Sequence, residues 1–345
     1  MRLLLIMNPK STTQSPGLFR HIIPLLRTVP DVQLRTQFTH YPGHASELSR
    51  GLSRADYDVV IAVGGDGTVN EVINGLLGPA SVNPTRRDVP TLAVIPTGSA
   101  NVFVRALGLP SEPVQATEAL VHVLRHGLKR TIDMGVWRDK WFAVNAGFGL
   151  DAEVIVNMDK ARRRGFSATP LRYLRVTLQA WLRSRRYPPT INVWAKDGNG
   201  ATKSARNLPI CMVSNTNPWT FLGPLPVVTN PRNSFDVGLG IFGVRQLEGV
   251  AGALTVLQML GANMISPIAR WLAARTFVFD DAMEVQIDCG TKQRFQVDGE
   301  YVGEFTSVTL GVVPEAIEVY APQEKIPTTP LSWIRLGLSF FDIRL

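Results

Sequence analysis

The chain has 345 residues, 45% of them hydrophobic, which is more than one ordinary core accommodates and enough for two. Its formal net charge of +8 favours anionic partners, namely nucleotides, nucleic acid or an anionic bilayer surface, without choosing among them. The two cysteines, Cys211 and Cys289, and five scattered histidines exclude a disulfide framework and the clustered ligands of a zinc site, and they fit a reducing cytoplasm.

The N-terminus, MRLLLIMNPKS, has an apolar run too short for a signal peptide and passes straight into Asn8-Pro9, so it reads as a first buried strand. Short apolar runs then alternate with amphipathic patterns: LLLIM, PGLFRHIIPLLRTV, VQLRTQFT, ASELSRGLSR, DVVIAV, VNEVINGLL, TLAVIP and NVFVRALGL. That alternation predicts a mostly parallel sheet covered by helices on both faces, with ligands bound beyond the carboxyl ends of its strands. From about residue 130 the texture changes to strand-like runs with closely spaced turn residues, among them RTIDMGVW, KWFAVNAGFG, LPICMVSN, FDVGLGIFGV and RFQVDGEYVG, as in an antiparallel sandwich. Two helical inserts interrupt this half, one near LRYLRVTLQAWLRSRR and one over GVAGALTVLQMLGANMISPIA. The second is long enough to span a bilayer, but its Gln258, Asn263, Ser266, Pro267 and glycines favour a buried or surface-lying helix. The final segment, PLSWIRLGLSFFDIRL, has the composition of an amphipathic helix, either docked on its own protein or lying at a membrane interface. Internal repeats, and with them solenoids and arrays, are not evident.

Between DVVIAV and VNEVINGLL stands GGDGT, residues 64 to 68. A helix N-terminus carries backbone N–H groups without intrahelical partners and a partial positive charge, so a phosphate there meets donors already aimed at it. Glycines let the backbone come close and take up positive φ. Thr68 can cap the helix and offer its hydroxyl. Asp66 is the odd member, because an acid beside a phosphate is repelled unless a divalent cation or a proton transfer gives it a role. The plain alternative is a strand-to-helix turn with a surface aspartate. The loop also matches neither the P-loop, which ends in Gly-Lys-Ser/Thr, nor a dinucleotide fingerprint, which wants a glycine where Asn70 stands.

Six stretches in order, IMNPKS, FTHYPGHASEL, VGGDGTVNEVINGLL, IPTGSANVFVRALGLP, NAGFGLDAEV and QVDGEYVG, resemble the diacylglycerol kinase catalytic family of lipid kinases, which includes bacterial diacylglycerol kinases and sphingosine and ceramide kinases. The resemblance implies an α/β plus β fold. An N-terminal three-layer α/β nucleotide-binding domain similar to those of phosphofructokinases and NAD kinases (residues 1–130) is followed by a C-terminal β-sandwich domain (131–322) and a tail (323–345), with ATP in the cleft between the domains. By position, Asn8 and Lys10 lie near the phosphates and Thr39 near the nucleotide. Gly64, Gly65, Asp66, Gly67, Thr68 and Asn70 form the cradle, with Glu71 beside it. Ser99 replaces the usual threonine of the second loop and keeps a hydroxyl. Asp66 would help hold Mg²⁺, and Asp298 or Glu300 would accept the proton of a lipid hydroxyl. Asp298-Gly299 is also the strongest short hairpin signal, and a hairpin tip is a rigid place to present an acid.

The chain departs from the family pattern at Val102, where an acid is usual, and at Gly240, which stands in place of the second aspartate of a structural magnesium site that Asp236 retains. The partners implied are a lipid alcohol and the surface of an anionic membrane, with a cytoplasmic, membrane-peripheral location; a homodimer is left open. Nucleic acid is disfavoured, since the basic residues lack an interleaved aromatic ladder. Lys160 to Arg164, and Arg183, Arg185 and Arg186, are either solvated faces or contacts to anionic headgroups. Trp219, Phe221 and Leu222 either line a pocket for acyl chains or belong to the core. Two other readings stay open: an NAD kinase-like nucleotide kinase, and a catalytically silent lipid-binding protein.

Overall fold

The computed structural model describes residues 1–11, 16–82, 88–149, 189–222, 225–246 and 274–323, with scattered positions between 248 and 271. The expected helix at 171–186, the basic run from Lys160 to Arg164, most of the apolar stretch at 249–269 and the tail from residue 330 lie outside the described residues. The chain divides into two compact units, one made of Met1–Ala143 with the residues returning from Val313, the other of Val144–Val312.

The first unit is built on a parallel sheet. Its strands β1 (Arg2–Met7), β2 (Gln33–Phe38), β3 (Val59–Gly64) and β4 (Thr91–Pro96) lie in the order β4-β3-β1-β2. β3 and β4 are buried along their whole length, which is why they read as unbroken apolar runs rather than as alternating patterns. Helices α1 (Pro16–Leu26), α2 (His44–Ser49), α3 (Asp66–Leu77), α4 (Val102–Ala106) and α5 (Pro113–Arg125) fill the connections. Ile22 and Leu26 of α1 and Leu120 and Leu124 of α5 pack on Leu3, Leu5, Met7, Val59, Ile61 and Ile95. The intervening strand residues, such as Leu4, Ile6, Val60 and Ala62, are equally buried and face the opposite layer, where α2 and α3 pack. All four strands are parallel, so the loops after β1, β2, β3 and β4 emerge at one edge of the sheet.

Strands β5 (Lys129–Trp137) and β6 (Lys140–Phe142), where the composition had suggested a new domain, pair with each other inside the first unit. The end of the last strand, β15 (Glu300–Tyr320), lies in the same unit, beside β5 and β4: Val319 pairs with Leu92 of β4, and Glu315 N–H donates to Asp133 Oδ1 of β5 at 2.9 Å.

The second unit is antiparallel. Strands β7 (Asn145–Gly149), β8 (Ile191–Asp197), β9 (Thr202–Leu208), β10 (Ile210–Ser214), β13 (Leu239–Val244) and β14 (Thr276–Val297) pair around β14, with β11 (Thr220–Leu222) and β12 (Leu225–Val227) as a separate hairpin. The 22 residues of β14 pair with β13 near its start, β8 in its middle and β7 at its end. Since β10 bridges β7 and β13, the set β13-β10-β7-β14 closes on itself, where the composition had suggested two stacked sheets. Among the described residues, no helix is long and apolar enough to cross a membrane.

Candidate active site

Three of the loops at the carboxyl edge of the first unit's sheet are tied together by short-range contacts. Thr97 N–H donates to Gly64 O at 2.8 Å, and the hydroxyls of Ser11 and Thr97 share a hydrogen bond of 2.6 Å. Asn8 donates from Nδ2 to Thr68 Oγ1 at 3.3 Å, while its Oδ1 accepts Lys10 N–H at 3.0 Å. Gly65 and Gly98 meet backbone to backbone: a Cβ on Gly98 would lie 2.5 Å from the Gly65 Cα. None of Gly64, Gly65, Gly67 and Gly98 uses positive φ, so these glycines serve close approach and not the left-handed conformation expected of the loop. Among the described residues of these three loops the left-handed one is Asn101, at φ 51°, whose side chain accepts from Gly98 N–H and donates back to Gly98 O.

The α3 helix begins at Asp66, with Gly65 in the cap position and no side-chain cap. Thr68, expected as the cap, instead lies in the first turn, buried, with its side chain packed on the Cα of Gly64. The helix start therefore keeps backbone donors suited to an anion, although the first of them, Asp66 N–H, faces its own carboxylate.

The two acids of α3 do something the sequence did not suggest. Asp66 accepts Val102 N–H on Oδ2 (3.1 Å) and Phe103 N–H on Oδ1 (2.9 Å), so it caps α4. Burial pushes its carboxyl up, against the pull of the Phe103 and Val102 amides, its own amide and the Arg105 guanidinium. Burial likewise lowers Arg105 to about 10, opposed by Asp66. Glu71 accepts Gly43 N–H (2.8 Å) and Ala45 N–H (3.1 Å), capping α2. One helix thus fixes the starts of two others, and through them the loops after β2 and β4.

The remaining candidates of this unit fall into two groups. Thr39 is buried at the end of β2, and its N–H donates to Met7 O at 2.8 Å. Asn70 donates to Trp141 O at 3.0 Å, a bond shared by Asn74, so it faces β6 and not the loops. Lys10 and Ser99 are exposed at the carboxyl edge.

In the second unit, Asp298 and Gly299 have φ 48° and 78° and join Val297 to Glu300, which pair across the turn; this is the two-residue hairpin expected of Asp-Gly. Asp298 is only 9% exposed, and its Oδ1 accepts Val144 N–H (2.8 Å) and Asn145 N–H (3.0 Å). Glu300 is exposed on the following strand.

Residues 2–137 match the profile of the diacylglycerol kinase catalytic domain. The chain therefore carries that domain in its N-terminal part. It is 38% identical over 120 residues to the diacylglycerol kinase of Bacillus subtilis (strain 168), a match covering 34% of this chain and 36% of that protein, so it spans little more than a third of that relative's length. With the diacylglycerol kinase of Staphylococcus carnosus (strain TM300) the identity is 26% over 328 residues, covering 94% and 96% of the two chains. A crystal structure of a diacylglycerol kinase from Bacillus anthracis str. Sterne shares the fold, with a TM-score of 0.66 at 20% identity, covering 94% of this chain and 98% of the other.

The residues of the second unit do not fit the structural magnesium site implied at Asp236. Asp236 is exposed and bonded to Ser234, its N–H donating to Ser234 Oγ at 3.3 Å. A Cβ at Gly240 would lie 2.8 Å from Asn233 Nδ2, which itself donates to Ser214 O at 2.8 Å and Thr216 O at 3.2 Å. An N–H donor fills the place where a second carboxylate would stand. Among the described residues, no group of three or more His, Cys, Asp or Glu side chains is placed to hold a metal ion. Trp219, at 3% exposure, belongs to the core, and the side chain of Leu222 lies outside the described residues.

Two residues next to the acids went unnoticed in the sequence. Asn145 opens the NAGFG motif and Gln296 directly precedes Val297-Asp298, and both are buried. A polar amide inside an apolar strand pattern was the available signal.

Proposed function

We propose that the protein is an ATP-dependent lipid kinase that transfers the γ-phosphate to the hydroxyl of a lipid alcohol such as diacylglycerol. The observation that carries this reading is the uncapped start of α3, held against the loops after β1 and β4 by Asn8, Thr97 and the Gly65–Gly98 contact. Backbone N–H groups at a helix start, with glycines that let a ligand come near, suit the phosphates of a nucleotide. In this reading the first unit holds ATP and the second supplies the acid that acts on the acceptor.

Phosphoryl transfer asks a protein mainly for positioning and charge neutralisation. Asp298 is assigned the proton of the lipid hydroxyl: as that oxygen bonds to the γ-phosphorus, its proton passes to the carboxylate and ADP leaves. The assignment rests on burial and on the two backbone bonds to Oδ1, which fix the orientation of the carboxylate, whereas Glu300 is exposed. Mg²⁺ arriving with ATP would neutralise phosphate charge. Asp66 is assigned first to α4, whose backbone N–H groups its two oxygens accept. It is a positioning residue for the second loop, and Glu71 is its counterpart for the loop after β2. The net charge of +8 supports contact with an anionic bilayer, where each nearby basic residue adds about 1 kcal/mol.

The test is transfer of labelled γ-phosphate from ATP and Mg²⁺ to a panel of lipid alcohols in mixed micelles, with NAD and a no-lipid control. A labelled lipid that disappears in the Asp298→Asn protein supports the reading and names the acceptor. Label in NAD and in no lipid would overturn it.

A further inference from the structure

We propose that Asn145 and Gln296 are positioning residues that set the Asp298 carboxylate through the backbone of its turn. The inference rests on the reading of Asp298 as proton acceptor. An Asp-Gly turn between paired strands needs nothing beyond its own two residues. Here it has more. Gln296, 1% exposed, accepts Gly299 N–H on Oε1 at 2.8 Å and donates from Nε2 to Asn145 Oδ1 at 2.8 Å. Asn145 in turn donates its backbone N–H to Asp298 Oδ1 at 3.0 Å, accepts Asp298 N–H on its own carbonyl at 2.8 Å, and donates from Nδ2 to Trp219 O at 3.1 Å.

The Gln296 amide and the Asn145 backbone therefore grip the turn from both sides, and the Asn145 side chain ties one to the other. Gln296 holds the residue after the acid, and Asn145 holds the acid at its amide and at its carboxylate. Both central residues of the turn have positive φ, a conformation that an aspartate tolerates and a slight shift of the neighbouring backbone would relax. Low-dielectric surroundings strengthen each of these bonds and penalise any that is broken, so the network has one arrangement in which every named donor and acceptor is matched. That arrangement fixes where the carboxylate stands. A displacement of about 1 Å in a reacting group can lower a rate by about 100-fold.

The experiment compares Gln296→Met, Asn145→Ala, Asp298→Asn and the double variant Gln296→Met/Asp298→Asn by lipid phosphorylation and thermal melting. Asn145→Ala keeps both backbone contacts to Asp298 and removes the side-chain bonds to Gln296 and Trp219, so it serves if Gln296→Met does not fold. The expected result for either amide variant is a kcat lowered about 10- to 100-fold with the KM for ATP within about twofold. In the Asp298→Asn background Gln296→Met then has no further effect on the residual rate, because its action runs through the acid. A folded amide variant with wild-type kcat, or a double variant that falls by the same factor again, overturns the inference while a silent Asp298→Asn keeps the kinase reading intact. An Asp298→Asn protein with wild-type turnover overturns the assignment of the base and this inference with it.

Discussion

Gly65 and Gly98 touch through their backbones, and a methyl group on Gly98 would stand 2.5 Å from the Gly65 Cα and 2.8 Å from Asn101 Oδ1. The contact sets how near the two loops of neighbouring parallel strands can lie. The obstacle is backbone on one side and a bonded amide on the other, so neither can swing away. Gly98→Ala is therefore expected to destabilise the protein by about 1–3 kcal/mol through overpacking, and to weaken ATP binding by separating the loops. At Gly65 the same methyl would meet the Gly98 Cα at 3.1 Å, so Gly65→Ala is the milder change. Denaturant unfolding and ATP titration of the two variants check the order.

Asp66→Ala leaves the N–H groups of Val102 and Phe103 without their carboxylate. Loss of a helix cap costs about 0.5–2 kcal/mol, so a measurable fall in Tm should accompany any loss of turnover. Asp66→Asn keeps one acceptor oxygen and should fall between the two. If Asp66→Ala melted like the wild type while phosphorylation vanished, the carboxylate would be acting on phosphate or metal and not on α4.

The sheet edge was legible in the sequence because fully buried parallel strands such as β3 and β4 have to be continuous apolar runs, and because GGDGT and PTGSAN end them. Small residues in those loops were legible as well, but not the reason for them. Glycine serves both positive φ and close approach, and only the position of Gly98 relative to Gly65 decides between the two. Side-chain partners were out of reach for the same reason: Asp66 finds Val102 across 36 residues, and Gln296 finds Asn145 across 151. The change of composition near residue 130 is real, yet β5 stays with the first unit because its partners, β6 and the end of β15, lie there.

Chelation separates this chain from a relative with a structural metal. With Asn233 filling the space beside Gly240, millimolar EDTA should leave the Tm of the nucleotide-free protein unmoved. A resident ion present at 100 times its Kd would contribute about 2.7 kcal/mol, which a melt in EDTA would reveal as a loss. Gly240→Asp should not create a site, since its Cβ would press on the Asn233 amide at 2.8 Å; it should lower stability instead. Differential scanning calorimetry with and without Mg²⁺ tests both statements.

Glu318 lies in the first unit, where Thr91 (2.6 Å), Arg54 (3.0 Å) and Lys129 (3.0 Å) all donate to Oε1. Burial alone would raise this carboxyl; the three donors and the Lys129 charge outweigh it and bring it to about 2, from an ordinary 4.5. A carboxyl lowered on folding adds stability above the unfolded value, and that stability is lost as pH falls through the folded one. Glu318→Gln should thus be less stable than the wild type at neutral pH, by about 1 kcal/mol once solvent screening is allowed for. The difference should shrink between pH 4.5 and about 2. Urea unfolding of both proteins across that interval measures it, and a gap independent of pH would assign the effect to packing.

The two acids of the DGE turn are separable by substitution because they differ in surroundings. Asp298→Asn retains an oxygen that can accept from Val144 and Asn145, so the turn should survive. What it loses is the capacity to take a proton, and general-base catalysis contributes about 100- to 10,000-fold. Its kcat should fall within that range, with a Tm near the wild type. Glu300 is exposed and outside that anchored pair of bonds, so Glu300→Gln should change kcat by less than about tenfold. The opposite ranking, with Glu300→Gln the silent protein and Asp298→Asn active, would move the proton acceptor to Glu300 and leave Asp298 as the residue that anchors the turn to the Val144–Asn145 backbone.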